Sequence, residues 1–168
     1  MKLLLAFLFI TISLRSFSQP AQPDSNLLDK DPVFRKILSR RLSYPPINAQ
    51  SGHTKLVYGQ FEIDENGHVR NVKIVNPAVG RGYFVNFDVV VEKTLKRLPP
   101  LNPRYLGKYM LPVIFALNDL QTGELVTPTN TNFDGRLANS ILLKSVTVIG
   151  DKQKPPRGAS VGHPDDEF

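Results

Sequence analysis

The residues able to do chemistry are scattered along this chain rather than gathered. Catalysis needs a nucleophile beside a base, paired carboxylates, or ligands at metal spacing. None of these constellations can be assembled from the pattern. His53 precedes a strand-like stretch, His68 sits among turn residues and His163 stands in the C-terminal region, and three isolated imidazoles do not make a zinc site. Asp64, Glu65 and Asn66 lack the twelve-residue loop and closing Glu of a calcium site. Gly80-Arg81-Gly82 precedes a helical pattern, but the full glycine pattern of a phosphate cradle is missing and no strand feeds into it. Tyr58, Phe61, Phe87 and Phe115 are spaced as core or half-core aromatics rather than as a ligand box. With no cysteine there is no disulfide framework, thiolate ligand, nucleophilic thiol or lipid-bearing thiol. The expectation is a non-enzyme: no catalytic residue, no cofactor and no metal.

What must position any binding surface is therefore the question, and the chain's ends bound it. Lys2 is followed by the apolar run Leu3 to Ile12 and then by Ser16-Phe17-Ser18. The run is shorter than the roughly 20 residues a bilayer crossing takes, and the small residues suit a peptidase cut before Gln19. Residues 1–18 thus read as a cleavable signal peptide, placing the chain in the periplasm or outside the cell. The formal charge of +6 falls to +4 on maturation, because the leader carries Lys2 and Arg15 and no acid. That mild basic excess, without an aromatic-interleaved basic run, disfavours nucleic acid as a partner. About 150 residues remain, enough for one domain with its own core.

Along the mature chain, 19–43 reads as a flexible lead, Gln19 to Asn26, and a short helix. Asp31 is its N-cap, Pro32 its first residue, and Phe34, Ile37, Leu38 and Leu42 recur at helical spacing. Tyr44-Pro45-Pro46 stops it. From Thr54 to Asp64 the chain alternates, with Val57, Gly59, Phe61 and Ile63 on one side and Tyr58, Gln60 and Glu62 on the other, which predicts a strand. Glu65-Asn66-Gly67-His68 turns it back into Val69 to Val75 as a hairpin, with Asn and Gly taking positive φ. Asn86 can cap a helix whose apolar face is Phe87, Val90, Val91, Leu95 and Leu98, closed by Pro99-Pro100. Tyr109 to Leu117 predicts a third strand. Pro112 places that strand at a sheet edge, since proline cannot donate to a ladder. The region 119–168 reads as loop to Arg136, one strand-like piece from Ile141 to Ile149, and a charged, proline-spotted tail from Gly150. The fold class is α+β: a small antiparallel sheet with a ββαβ core, preceded by a short helix and followed by an extra strand-like segment.

Several of these residues carry a resemblance. Tyr44-Pro45, Ala49, Val57-x-x-x-Phe61-x-Ile63-Asp64-x-x-Gly67-x-Val69, Phe87-Asp88, Leu98-Pro99-x-x-x-Pro103, Gly107 and Pro112-Val113-Ile114-Phe115 together resemble the C-terminal domain of TonB, the periplasmic energy transducer. The similarity runs over about residues 44 to 117, and 44–118 is taken as the domain. The resemblance implies a small sheet backed by a helix, whose last strand pairs with the short "TonB box" of an outer-membrane receptor. That is β-augmentation, in which backbone bonds give affinity and alternate side chains give selectivity. The chain departs from the family at Lys55, where glycine is usual, at Gly59, where a β-branched residue is usual, and at Leu101, where tryptophan is common. The Tyr-Pro to Ala spacing is also one residue longer, and the usual anchor and proline-rich spacer are not legible.

The resemblance thus implies an exported, TonB-like binding module, docking an extended segment of a TonB-dependent outer-membrane receptor or other envelope partner, in TonB-dependent transport. Leu111, Val113 and Phe115 are expected to line the receiving strand. Lys144 to Gly150 itself resembles the β-prone receptor box, so Val146 and Val148 join the partner-binding set. That segment is expected to add to the chain's own sheet or to a neighbouring copy, the latter giving a homodimer through strand exchange. The alternative is a structural or assembly protein whose sheet edge is occupied by its own tail or by a second copy.

Overall fold

The computed structural model describes residues 25–78, 84–129 and 140–152. The leader at 1–18, residues 19–24, the Gly80-Arg81-Gly82 loop, residues 130–136 and the tail beyond 152 lie outside the described residues. Helix begins earlier than the sequence pattern indicates, at α1 (Ser25–Lys30), because Leu28 is fully buried and anchors this turn in the core. Asp31 then starts α2 (Pro32–Arg41), its carboxylate accepting the Phe34 N–H at 2.8 Å. Burial opposes ionisation of Asp31, but the Phe34 N–H and the Tyr105 hydroxyl hold its carboxyl below the ordinary value. Helix α2 buries Phe34 and Leu38 and leaves Lys36, Arg40 and Arg41 exposed. Tyr44-Pro45 ends the helical run as expected. Pro46 then opens a further short helix, α3 (Pro46–Gln50), since proline is as suited to a first turn as it is unsuited to an interior.

Strands β1 (Lys55–Ile63) and β2 (Val69–Ile74) form the expected antiparallel hairpin. Its turn is organised by Asp64, whose carboxylate accepts the N–H groups of Asn66 at 2.9 Å and His68 at 2.8 Å. Within the turn only Gly67 takes positive φ, at 79°. Asn71, in β2, also takes positive φ, at 50°, beside the register shift between Gln60 and Glu62.

Helix α4 (Phe84–Lys96) starts two residues before Asn86. Asn86 therefore lies inside the helix rather than capping it, and its amide donates to Asn48 Oδ1 of α3 at 3.3 Å. Phe87, Val91 and Leu95 are fully buried against β1. Gly59 permits that approach: a Cβ there would lie 2.7 Å from Leu95 Cδ1 and 3.0 Å from Val91 Cγ1. Lys55 pairs with Asp88 of α4 at 2.6 Å. Two of the sequence's departures from the resembled pattern thus serve one helix–strand contact.

After a short 3-10 turn (Pro103–Tyr105) comes β3 (Gly107–Asp119). It is the centre of the sheet, not its edge. Strand β1 pairs with it antiparallel from Lys55↔Phe115 to Ile63↔Gly107, and β4 (Glu124–Val126) continues along the same side from Leu117 to Asp119. The other side carries β5 (Ile141–Leu142) and β6 (Val146–Lys152), both parallel to β3. The sheet is therefore mixed. The expected single strand over Ile141 to Ile149 is split, and the expected loop after Asn118 contains the hairpin strand β4. The α+β class stands.

Helices α1, α2 and α4 cover one sheet face, where Phe61, Tyr109, Leu111, Val113 and Phe115 form the core. On the opposite face Leu56, Tyr58 and Met110 make a smaller cluster. The hairpin docks on the chain between α4 and β3, for Leu101 donates its N–H to the Gly67 carbonyl at 2.8 Å. A Cβ on Gly67 would sit 1.9 Å from the Leu101 carbonyl oxygen, whereas one on Gly123, also at positive φ, meets nothing within 4 Å. Gly67→Ala is accordingly expected to destabilise the domain by well over the ~1 kcal/mol that left-handed strain alone costs. Gly123→Ala should cost only about that much. Urea melts of the two variants check the difference.

Candidate strand-docking edge

Which backbone groups of β3 face β6 follows from the opposite side of the sheet. Tyr58 accepts the Val75 N–H on its carbonyl at 2.9 Å and donates its own N–H to Asn76 Oδ1 at 2.8 Å. Its backbone therefore faces β2, and its register partner Pro112 turns its own backbone away from β1. The even-numbered residues of β3 thus address β5 and β6, and the donor that Pro112 lacks is missing on that side. Leu143 still donates to the Met110 carbonyl at 2.9 Å. Pairing resumes at Val113↔Val146, so three residues, 143–145, bulge opposite two, 111–112.

The bulge is held from the helices. Lys144 donates its N–H to the Asp29 carboxylate at 3.0 and 3.2 Å, and its carbonyl accepts both terminal guanidinium nitrogens of Arg35 at 3.3 Å. Arg35 also pairs directly with Asp29. The N–H and the carbonyl of Lys144 are thereby both partnered by one ion pair that bridges α1 and α2. Toward its end β6 is fixed by Lys152 to Asp119 at 3.2 Å. The Gln121 N–H and then this lysine hold the Asp119 carboxyl below its ordinary range, so the tie persists through that range and is lost only in stronger acid.

All five residues expected to bind a partner converge here, but not as an exposed lining. Leu111, Val113 and Phe115 are fully buried under the helices. Val113 and Phe115 are register partners of Val146 and Val148, and Val148 is itself buried while Val146 is partly so. Leu111 pairs only with Gly59, on the β1 side. The residues missed by the sequence reading are Asp29, Arg35 and Tyr44. Arg35 reads as one more cation on a polar helix face and Asp29 falls between the expected lead and the expected helix cap, so nothing in their spacing indicates a clamp on Lys144. Tyr44, read as a helix stop, packs edge-on against Phe87 and Phe115 and donates its hydroxyl to the His53 carbonyl. Burial pushes its phenol up to about 12.

One hollow of about 370 Å³ lies elsewhere, lined by Arg41, Ser43, Val90, Lys93, Thr94 and Arg97. Lys93 and Arg97 lie at the C-terminal end of α4, where they offset the helix's partial negative charge, and Arg41, the last residue of α2, donates to the Arg97 carbonyl. No family model, curated protein or solved structure matches this chain.

Replacing Asp29 with alanine removes the acceptor of the Lys144 N–H and the partner of Arg35. The variant is expected to lose about 1–3 kcal/mol. Amide exchange should quicken at 144–148 well beyond the change in the β1–β2 hairpin, as residue-resolved hydrogen exchange will show.

Proposed function

We propose that this is an exported strand-acceptor module of the TonB C-terminal kind, built to hold an extended segment of an outer-membrane receptor along the β3 edge, with its own β6 as resident occupant. The observation that carries this reading is the parallel pairing of 146–152 with 113–119. The segment that most resembles a receptor box lies along the strand that the TonB resemblance assigns to receiving one. Main-chain bonds supply affinity in such a joint. A short strand tethered to its own acceptor acts as a competitor at high effective concentration. The ββαβ arrangement of the resembled domain is part of this proposal: β1, β2, α4 and β3 would be its counterparts here.

A second reading, a structural or assembly role, is favoured by the burial of Leu143 and Val148 and by the Asp29–Arg35 clamp, since a fixed strand also needs such contacts. The two readings differ in whether β6 ever leaves. A photo-crosslinking residue at position 114, which lies beside Thr147 in register, distinguishes them in the exported full-length chain. Receptor segments captured alongside β6 are the expected result. Capture of the chain's own 146–148 alone would establish the fixed strand.

A further inference from the structure

We propose that the β3 edge selects its occupant by sequence. It takes an extended segment running parallel to β3 with the pattern Leu143-x-x-Val146-x-Val148-x-Gly150, so that a partner protein's segment bearing this pattern displaces β6. The inference rests on the acceptor reading above and specifies what the acceptor reads.

The pattern follows from which β6 side chains the domain covers. Leu143 is 2% exposed and sits in the main core. Val146 and Val148 point to the same face as Val113 and Phe115, against the helices. The intervening Lys144, Ser145, Thr147 and Ile149 are exposed, Ile149 at 57%, and are therefore not read through their side chains. At Lys144 the domain reads backbone alone, since Asp29 accepts the N–H and Arg35 donates to the carbonyl. Any residue but proline satisfies that clamp.

Gly150 is the sharpest element. A Cβ there would stand 2.5, 2.8 and 2.9 Å from three atoms of the Tyr44 ring. The ring has little room to retreat, being edge-on to Phe87 at 5.5 Å and to Phe115 at 5.7 Å with its hydroxyl held by the His53 carbonyl. A glycine inside a strand commonly marks close approach of another group, and here that group is a fixed aromatic wall. Selectivity at this position is thus exclusion of every side chain, a repulsive element that complements the attractive leucine and valine positions.

The test uses the full-length chain with Gly150→Val, which weakens the resident strand, and a fluorescent peptide of residues 140–152 with the native sequence. The peptide is expected to bind this variant about tenfold or more tighter than the native chain. A peptide with valine in place of its glycine should bind the variant about tenfold or more weaker than the native peptide does, the scale of forcing extra atoms into a packed site. Peptides with serine at positions 147 and 149 should bind within about twofold of native, the scale of replacing exposed side chains. Should the valine prevent folding, as judged by circular dichroism, Val148→Ser provides a second chain with a weakened resident strand. Equal binding of the glycine and valine peptides overturns the selectivity while leaving the acceptor reading intact. If no peptide binds either folded variant, the acceptor reading itself fails. Dimerisation of the variants without peptide would assign the edge to a second copy and overturn the partner assignment.

Discussion

Proline at position 112 removes one donor from the central strand, and the way the C-terminal segment attaches depends on which side lost it. Because Tyr58 spends its backbone on β2, the gap opens away from β1. The nine-pair antiparallel ladder from Lys55 to Ile63 runs past the proline. The parallel partner must break there instead, and it does so as β5, a three-residue bulge and β6. The Asp29–Arg35 pair then holds the N–H and the carbonyl of Lys144 within that bulge. The clamp thus fixes the exposed backbone of the bulge that lies beside the proline.

The helices do more than cover the sheet. Gly59 lets α4 settle on β1, and Lys55 holds Asp88 at the helix's first turns. That places Phe87 beside Phe115 at 4.7 Å between ring centroids, and the two rings brace Tyr44. The brace in turn reaches Gly150 of β6. Contacts between α1 and α2 set the other end of the same groove through Leu28, Asp29 and Arg35. The strip along β3 that β6 occupies is thus shaped at both ends by elements lying outside the sheet.

Much of this architecture is legible in the sequence. Asp31-Pro32, the alternation through β1, the Asp64 to Gly67 turn and the apolar face of α4 each carry a local signal that the fold respects. The sequence also marks the C-terminal segment as a strand seeking a sheet. What it misplaces is β3, since a proline reads as an edge even when its missing donor faces a bulge. Helices α1 and α3 are too short to show periodicity, and β4 is three exposed residues. Asp29 and Arg35 escape notice because they act on Lys144, 115 and 109 positions away, and Tyr44 because it packs on Phe115 and faces Gly150, far along the chain and beyond the reach of spacing arguments.

In this account the edge of β3 is a single strand-binding site, filled from within the chain and open to an outside segment only when β6 departs. The chain has no cysteine, so a disulfide can be introduced cleanly between register partners Ile114 and Thr147; directly opposed strand residues lie within the Cα range a disulfide spans. The most direct measurement is receptor-segment capture by the Ile114→Cys, Thr147→Cys chain before and after reduction. The oxidised monomer is expected to carry an intrachain bond and to capture nothing while locked, and reductant is expected to restore capture. Equal capture by the locked and reduced chains would contradict this account.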